Sequence, residues 1–414
     1  MQDTELYRRM LGLESPWTVE SVELDVKEQR VDVRAGHKEG LQWPCPDCGA
    51  LLSIYDHSEA RTWRHLDSMQ FKTFLHARAP RVNCSEHGVK QVKLPWSEPR
   101  SRFTAMFERF AIDVLLQTDI TGARRILRIS WDEAWHLQER AVARGLAAKK
   151  SRLLSRIGVD EKSFAKRHKF LTLVCDLEGG TVEDIQDERT AESLQGYFRG
   201  LSAEQLAAIK SVTIDMWVPY IKAIRLSLPG WEEKLVFDRY HVMKNINHAV
   251  DLERRKESRE LRSKGKEALV GTRYLWLAAQ ENVPAARRAE FRQLRDSKLR
   301  TARAWAIKES LRELWSCRSR TTAVEHWKHW YGWAKRSRLK HIIYAANTVK
   351  AHLTGVLAYF AHRTTNGLIE GLNSKIQTVK KRAYGFRNVE HFKTAIYFHC
   401  GGLALYPETH AKAG

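Results

Sequence analysis

Three carboxylates stand at points of the sequence where a metal ion could be held. Asp160 ends an apolar, strand-like stretch, Asp215 ends a second one, and Glu370 lies on an amphipathic stretch at 366–377. Carboxylate oxygens are hard ligands that suit Mg²⁺ or Mn²⁺. Two such ions about 3.5 to 4 Å apart can activate water or a 3′-hydroxyl and stabilise the leaving oxygen of a phosphodiester. The three residues are therefore predicted to be a catalytic, metal-binding set that acts on nucleic acid.

Each carboxylate also has a purely structural explanation. Asp215 and Asp238 both precede a predicted helix, where aspartate commonly serves as the N-cap, and Asp160 could cap a loop. Asp238, in the stretch that ends at His241, is a weaker candidate that could cap its helix or contact substrate. For Asp160 and Asp215 taken together, metal binding is favoured, because they follow the strands that would carry a metal site in the predicted sheet described below.

The stretch that carries Glu370 is predicted to be a helix with one polar face. Asn366, Glu370, Asn373 and Gln377 follow one another at helical spacing, so they lie on the same side. Basic residues follow closely and are predicted to contact DNA: Lys375, Lys380, Lys381 and Arg382. This setting suits a metal ligand beside a bound phosphate, although an ordinary solvated glutamate is an open alternative.

A second set of chemically distinctive residues has the spacing of a zinc site. Cys45 and Cys48 form one Cys-x-x-Cys knuckle, Cys84 and His87 form a Cys-x-x-His knuckle, and a glycine follows each. Two such knuckles can place four ligands tetrahedrally around Zn²⁺. The residues between them are expected to form their own hairpin, with strands at 61–65 and 72–77. Rival candidates for the fourth ligand are His57, His65 and His76.

The composition indicates a polyanionic partner. The chain of 414 residues has a formal net charge of +21, and its 14 Trp and 12 Tyr are interleaved with Arg and Lys. Such a surface can neutralise phosphates and stack on bases, so nucleic acid is the predicted partner.

A helix-turn-helix is predicted just before the catalytic stretches. Apolar residues from Phe103 to Leu115, Phe110 among them, fall on one helical face, and 120–127 is a short second helix. Ser130 is a suitable N-cap for a third helix, which would lie in the major groove. Four arginines are predicted to meet phosphates: Arg124, Arg125, Arg128 and Arg140. A plain packing unit of three helices is the alternative.

The elements around the carboxylates follow a mixed α/β order after a basic linker at 149–156. Strands are predicted at 157–160, 169–176, 181–185, 211–215 and 234–238, with helices at 191–210 and 217–226. Three consecutive strands and then helix-strand-helix-strand is the order of a ribonuclease-H-like sheet.

Long charged helices then interrupt the sheet pattern. They are predicted at 240–262, 301–315, 321–336 and 339–362, with tryptophans near helical spacing that we expect to be mostly internal. This segment is predicted to be an all-helical insertion.

The sequence also favours some cellular settings over others. No stretch approaches the roughly 20 apolar residues of a membrane helix, so a soluble, intracellular protein without a membrane partner is expected. Six cysteines are few for this length, and three belong to the zinc pattern, so a disulfide framework is not expected.

Several motifs together resemble the DDE transposases of the ISL-three insertion-sequence family. They are the two knuckles, Asp160-Glu, Ile-Asp-Met-Trp-x-Pro-Tyr at 214–220, Phe-Asp-Arg-Tyr-His-Val at 237–242, and Thr-Asn-Gly-Leu-Ile-Glu-Gly-Leu-Asn-Ser-Lys at 365–375. The resemblance covers nearly the whole chain, and the last motif is the most specific. His87 departs from it, because the family more usually has cysteine there.

The resemblance implies a bacterial, cytoplasmic, nucleoid-associated enzyme that binds the terminal inverted repeats of its element and moves the DNA by Mg²⁺-dependent cleavage and strand transfer. Asp160, Asp215 and Glu370 match its catalytic triad. Because two DNA ends must be paired, a homodimer is expected, and double-stranded DNA supplies both the ends and the target. The alternatives are a zinc-containing DNA-binding regulator or inactive relic, and a structure-selective nuclease.

The expected architecture is multidomain α/β plus α. Its predicted parts are a zinc-binding N-terminal module at 1–98, a helix-turn-helix domain at 99–150, the first part of a ribonuclease-H-like core at 151–239, a helical insertion at 240–363, and the C-terminal helices of the core at 364–414.

Overall fold

Short β-strands dominate the first hundred residues of the computed structural model, which describes residues 2–165, 169–363 and 367–408. The first element is α1 (Asp3–Met10), and the strands that follow are β1 (Trp17–Asp25), β2 (Arg30–His37), β3 (Trp43–Pro44), β4 (Leu51–Leu52), β5 (Ile54–His57), β6 (Arg61–Arg64), β7 (Lys72–Ala77), β8 (Pro80–Cys84) and β9 (Gly88–Gln91).

These strands form three small sheets. One sheet has the order β1-β2-β7-β6, β3 pairs with β4, and β5-β8-β9 form the third. The predicted strands at 61–65 and 72–77 are confirmed as β6 and β7, but β7 also pairs in parallel with β2, so their hairpin extends the first sheet. Trp96 packs edge-on against Trp17 and Trp63, with ring centroids 4.6 and 5.5 Å apart, and this aromatic group forms much of the core.

Three helices come next and match the predicted trihelical unit: α2 (Ala105–Gln117), α3 (Ile120–Leu127) and α4 (Trp131–Ala147). Ser130 caps α4 through a capping box with Glu133, as its position indicated. The predicted inner face of α2 is wrong at Phe110, which is 46% exposed. The buried side of α2 instead runs through Phe107, Ala111 and Leu115, at intervals of four residues.

A five-stranded sheet follows in the next part of the chain. Its strands are β10 (Arg156–Ala165), β11 (Lys169–Asp176), β12 (Thr181–Asp187), β13 (Ser211–Ile214) and β14 (Leu235–Phe237), in the order β12-β11-β10-β13-β14. The first three strands in sequence pair antiparallel, and β13 and β14 run parallel to β10. The predicted strands are thus all present, within a few residues of their expected bounds.

The connections between these strands are helical. They are α5 (Ala191–Arg199), α6 (Ala203–Ala208), α7 (Val218–Ser227) and α8 (Trp231–Lys234). The single helix predicted at 191–210 is wrong. It is divided at Gly200, and Ser202 starts α6 with a capping box of its own.

The predicted helical insertion begins directly after β14. Its helices are α9 (Arg239–Arg262), α10 (Arg273–Leu277), α11 (Arg288–Arg295), α12 (Arg300–Glu313), α13 (Arg320–Arg336), α14 (Lys340–Ala351), α15 (Leu353–Leu357) and α16 (Tyr359–His362). Trp305, Trp315, Trp327 and Trp330 are buried, as expected, whereas Trp333 is 39% exposed.

The last helices are α17 (Gly367–Arg382) and α18 (Val389–Cys400). The helix was predicted to begin at Asn366, which lies outside the described residues. The chain divides into two compact units, one of residues 1–150 and 379–414 and the other of residues 151–378, and this division falls within α17. No helix in the described ranges is both long and apolar enough to cross a bilayer.

Candidate functional site

Asp160 and Asp215 lie on neighbouring strands of the five-stranded sheet. Asp160 was expected at the end of its strand, but it stands in the middle of β10, opposite Leu173 of β11. On the other side, the pairing of β10 with β13 stops at Gly158, so β10 continues past its parallel neighbour. Asp215 directly follows β13. Both aspartates therefore lie where the parallel part of the sheet ends.

Hydrogen bonds fix the orientation of both carboxylates. The backbone N–H of Glu161 donates to Asp160 Oδ1 over 2.8 Å, and the Nδ2 of Asn373 donates to Asp160 Oδ2 over 2.6 Å. The backbone N–H of Trp217 donates to Asp215 Oδ1 over 3.1 Å. Asp215 is not the N-cap of α7, because that position belongs to Trp217.

A guanidinium that the sequence analysis missed joins the acidic residues. The Arg189 guanidinium lies 3.2 Å from Glu161 Oε1 and 3.3 Å from Asp215 Oδ2, and its Cζ lies 4.0 Å from the ring centroid of Trp217. Its side chain is 23% exposed. Arg189 thus places a positive charge beside two partly buried carboxylates.

Burial changes the proton affinity of these groups. Burial, with the charge of Asp215, raises the pKa of Glu161 to about 7, although Arg189 acts in the opposite direction. Burial also raises the pKa of Asp215, while His241 and Arg189 act to lower it. Glu161 Oε2 is buried and has no hydrogen-bond partner among the described residues. The neighbouring residues therefore neutralise only part of the negative charge of Glu161 and Asp215.

Glu370 lies in the first turn of α17 and is exposed. Asn373, one turn later on the same helix, bonds to Asp160, and Lys162 Nζ donates to the Asn373 carbonyl over 3.0 Å. Residues three apart on a helix share a side, so Glu370 and Asn373 face the same way. The polar face predicted for this helix is thus the one that reaches Asp160.

The close approach of α17 depends on a glycine in β10. A Cβ added to Gly158 would lie 2.2 Å from Cδ1 of Ile369, which is buried. Gly158 and Asp160 are two apart on the strand and therefore face the same side of the sheet. The missing side chain at Gly158 lets α17 lie over the strand and bring Asn373 to Asp160.

Asp238 has the structural role that the sequence left open. Its Oδ1 accepts a hydrogen bond of 3.2 Å from the backbone N–H of Tyr240, so it is the N-cap of α9. His241 Nε2 lies 3.8 Å from Asp238 Oδ2.

The two knuckles come together as predicted. The ligand atoms of Cys45, Cys48, Cys84 and His87 all lie within 4.8 Å of one another. The Cys48 and Cys84 sulfurs are 3.7 Å apart, and Cys84 Sγ is 3.5 Å from His87 Nδ1. A tetrahedral Zn²⁺ with Zn–S distances of about 2.3 Å places neighbouring sulfurs about 3.8 Å apart. The geometry of the four ligands therefore fits zinc.

The knuckle turns have the backbone conformation that their glycines allow. Gly49 and Gly88 have φ values of 77° and 67°, in the left-handed region. Hydrogen bonds from the backbone N–H groups of Cys48 and Asp47 lower the pKa of the Cys45 thiol, which favours the thiolate that binds metal.

The rival histidines are occupied elsewhere. His57 Nε2 lies 2.8 Å from His37 Nε2, buried His65 bonds to Thr104, and His76 bonds to Asp32. Among the described residues, Cys45, Cys48, Cys84 and His87 are the one set of three or more metal-ligating side chains whose ligand atoms all lie within 4.8 Å of one another. The ligand atoms of Asp160, Asp215 and Glu370 are farther apart than this.

The predicted phosphate-binding arginines fall into two groups. Arg124 and Arg125 are exposed on α3. Arg128 pairs with Asp67, and Arg140 lies 3.3 Å from Glu98 and 3.1 Å from buried Glu108. The sequence pattern does not reveal these three acids as partners, because each lies far from its arginine in the sequence and approaches it only in the fold.

The basic residues after Glu370 all lie on α17. Lys375, Lys381 and Arg382 are exposed, and Lys380 is half-buried with its Nζ 5.7 Å from the centroid of the Phe392 ring.

Comparison with known protein families gives three matches along the chain. Residues 157–396 match the DDE family of ISL3 type described as "Transposase". Residues 41–87 match the family described as "zinc-finger of transposase IS204/IS1001/IS1096/IS1165", and residues 92–142 match the "Helix-turn-helix domain of transposase family ISL3".

Two similar proteins are described as transposases for insertion sequences. The transposase for insertion sequence element IS1557 of Mycobacterium tuberculosis is 28% identical, over 94% of this chain and 93% of its own length. The transposase for insertion sequence element IS1001 of Bordetella parapertussis is 24% identical, over 84% of this chain and 86% of its own length.

Proposed function

The chain belongs to the ISL3 (ISL-three) family of DNA transposases, and from that premise we propose that Asp160, Asp215 and Glu370 carry its DNA cleavage and strand transfer. The observation that carries the proposal is the hydrogen bond from Asn373 to Asp160. It joins the helix of Glu370 to the strand of Asp160, next to the strand that ends at Asp215. The reading as a DNA-binding regulator without cleavage is not favoured.

The order of the strands supports a ribonuclease-H-like core. Three antiparallel strands followed by two parallel ones, in the sheet order 3-2-1-4-5, is the arrangement expected for that fold. The long helical segment enters after the fifth strand and before the helix of Glu370, as an insertion would.

The residues present fit a divalent cation. Glu161 and Asp215 are partly buried carboxylates with raised pKa values, and Glu161 Oε2 has no hydrogen-bond partner in the part of the chain that the structure describes, so this group favours an added positive charge. Asp160, Asp215 and Glu370 would hold Mg²⁺ or Mn²⁺, which activates the attacking hydroxyl and stabilises the leaving oxygen when bound.

The protein's own groups would orient this site. Asn373 and the backbone N–H of Glu161 hold the two oxygens of Asp160, and the backbone N–H of Trp217 holds Asp215. Arg189 keeps two carboxylates close together in spite of their like charge. Preorganisation of this kind removes reorganisation from the chemical step.

The N-terminal modules would recognise the terminal inverted repeats of the element. Zn²⁺ at Cys45, Cys48, Cys84 and His87 would be structural, since four protein ligands leave no open position. The third helix, α4, would enter the major groove while exposed Arg124 and Arg125 contact phosphates. A homodimer would bring two ends together.

Strand cleavage of a labelled duplex that carries the element's own terminal repeat tests the proposal. We expect 3′-hydroxyl ends with Mg²⁺ and none with EDTA. Glu370→Gln should bind the duplex like the natural chain but leave it uncut. Cutting by Glu370→Gln at the natural rate would remove Glu370 from the site.

A further inference from the structure

We propose that Tyr384 is a stacking platform for an unpaired base in the DNA that the protein holds. The proposal rests on the chain being a DNA transposase and adds a contact outside the carboxylate site. It starts from the turn after α17, where a tyrosine occupies a position that usually belongs to glycine.

The end of α17 has the hydrogen bonds of a Schellman motif. The backbone N–H of Gly385 donates to the Lys380 carbonyl over 2.9 Å, and that of Tyr384 donates to the Lys381 carbonyl over 3.0 Å. Tyr384 and Gly385 both have positive φ in this motif, 52° and 98°, and of the two only Tyr384 carries a Cβ. Glycine adopts this conformation readily, and a side chain with a Cβ is strained there. Tyrosine at this position therefore costs folding free energy.

The Tyr384 side chain makes no contact in the described structure that would offset this cost in free energy. It is 98% exposed, so its ring gains no burial. None of the described hydrogen bonds, ion pairs or ring contacts involves its side chain. A tyrosine whose backbone is strained and whose ring is fully exposed to water does not stabilise the fold. We therefore infer that the Tyr384 ring contacts a binding partner.

The surroundings of Tyr384 identify the chemistry of that partner. Lys381, Arg382 and Arg387 are all exposed within three residues of it. No carboxylate of the described residues pairs with any of these three cations. Arg382 also donates a hydrogen bond of 3.4 Å to the Gln117 carbonyl, which leaves its charge unneutralised. An aromatic ring among such cations is the arrangement that binds unpaired nucleotides, because the cations hold the phosphates while the ring stacks on a base. A base inside a closed duplex already has stacking partners on both sides, so an unpaired base is the fitting ligand.

The test compares two short fluorescein-labelled DNA duplexes, one blunt and one with a single-stranded extension that carries 2-aminopurine. Binding to the full chain is measured in EDTA, so the result does not depend on the cleavage chemistry. The variants are Tyr384→Gly, Tyr384→Phe and, as a control, Tyr344→Ala, which alters a tyrosine that is 73% exposed on another helix.

Tyr384→Gly should bind the extended duplex roughly five- to a hundredfold more weakly, the loss expected for one stacked base, and bind the blunt duplex as before. It should lose the quenching of 2-aminopurine, while Tyr384→Phe and Tyr344→Ala keep it. The melting temperature of Tyr384→Gly should rise, because glycine relieves the strained backbone. Equal weakening on both duplexes, unchanged binding to the extended one, or a lowered melting temperature would each overturn the proposal.

Discussion

Asn373 donates a 2.6 Å hydrogen bond to Asp160, although 213 residues separate them in the sequence. The bond crosses from α17 to the middle of β10, and it occupies the carboxylate oxygen that the backbone N–H of Glu161 leaves free. A carboxylate held at both oxygens has one orientation. We infer that Asn373 positions Asp160 and, through the shared helix, Glu370.

Replacing Asn373 by alanine should slow cleavage without preventing DNA binding. A hydrogen bond to a charged group contributes about 1.5 to 3 kcal/mol, so the rate should fall roughly ten- to a hundredfold. Single-turnover cleavage and duplex binding would be measured side by side. Thr378→Ala, an exposed change on the same helix but not on the face of Asn373, is the control. A natural cleavage rate for Asn373→Ala would contradict a positioning role.

Removing Arg189 should destabilise the metal-free protein. Arg189→Ala leaves Glu161 and Asp215 partly buried without their shared cation, which we expect to lower the free energy of unfolding by about 3 kcal/mol. Added Mg²⁺ should recover part of the loss, because a ligand that binds only the folded state stabilises it. Urea unfolding in EDTA and in Mg²⁺ measures both effects. Arg199→Ala, at an exposed arginine, should change neither, and a loss that Mg²⁺ leaves untouched would argue against a cation site here.

The raised pKa of Glu161 predicts a specific pH dependence. Its pKa is about 7 in the folded chain against an ordinary value of 4.5, so the folded state holds an extra proton between these values. Stability from this group is therefore full below about pH 4.5 and falls as the pH rises to 7, by up to about 3 kcal/mol at 1.4 kcal/mol per pKa unit. Glu161→Gln stays neutral and should avoid this fall.

The measurement for Glu161 is the free energy of unfolding in EDTA at about pH 5 and about pH 8. Glu161→Gln should gain on the natural chain as the pH rises, whereas Glu178→Gln, at an exposed glutamate, should follow the natural chain. A constant difference between Glu161→Gln and the natural chain would show that Glu161 titrates normally.

Loss of one knuckle ligand should release zinc. Cys84→Ser removes a buried thiolate from the four-ligand set and should lower both the zinc content and specific duplex binding. His87→Cys should retain zinc, because it replaces one good ligand by another. Metal content by mass spectrometry distinguishes these variants, with Cys317→Ser, outside the cluster, as the control. Full zinc content in Cys84→Ser would remove Cys84 from the site.

The strands and the polar helix face could be read from the sequence because each depends on local periodicity. Apolar runs located β11 and β13, and the spacing of Glu370 and Asn373 placed both on one helical face. The knuckles were equally clear, since their ligands are close in sequence.

Arg189 and the pairing of Arg140 could not be predicted in the same way. Their partners lie on other elements, so only the register of the sheet and the packing of helices bring them together. The position of Asp160 inside β10 has a similar origin. A strand that is polar beyond residue 160 looks finished, yet pairing with β11 carries it on to Ala165.

The contact between Gly158 and Ile369 gives a prediction with an internal check. Gly158→Ala places a methyl group against Cδ1 of Ile369, so it should cost about 1 to 3 kcal/mol of stability and shift α17, with slower cleavage. Ile369→Val removes that Cδ1 and alone should cost about 1 kcal/mol. Because the second change makes room for the first, the double variant should lose less stability than the sum of the two and recover cleavage relative to Gly158→Ala. Unfolding and cleavage of all four chains test this coupling, and simple additivity of the two losses would show that α17 does not rest on β10 at this point.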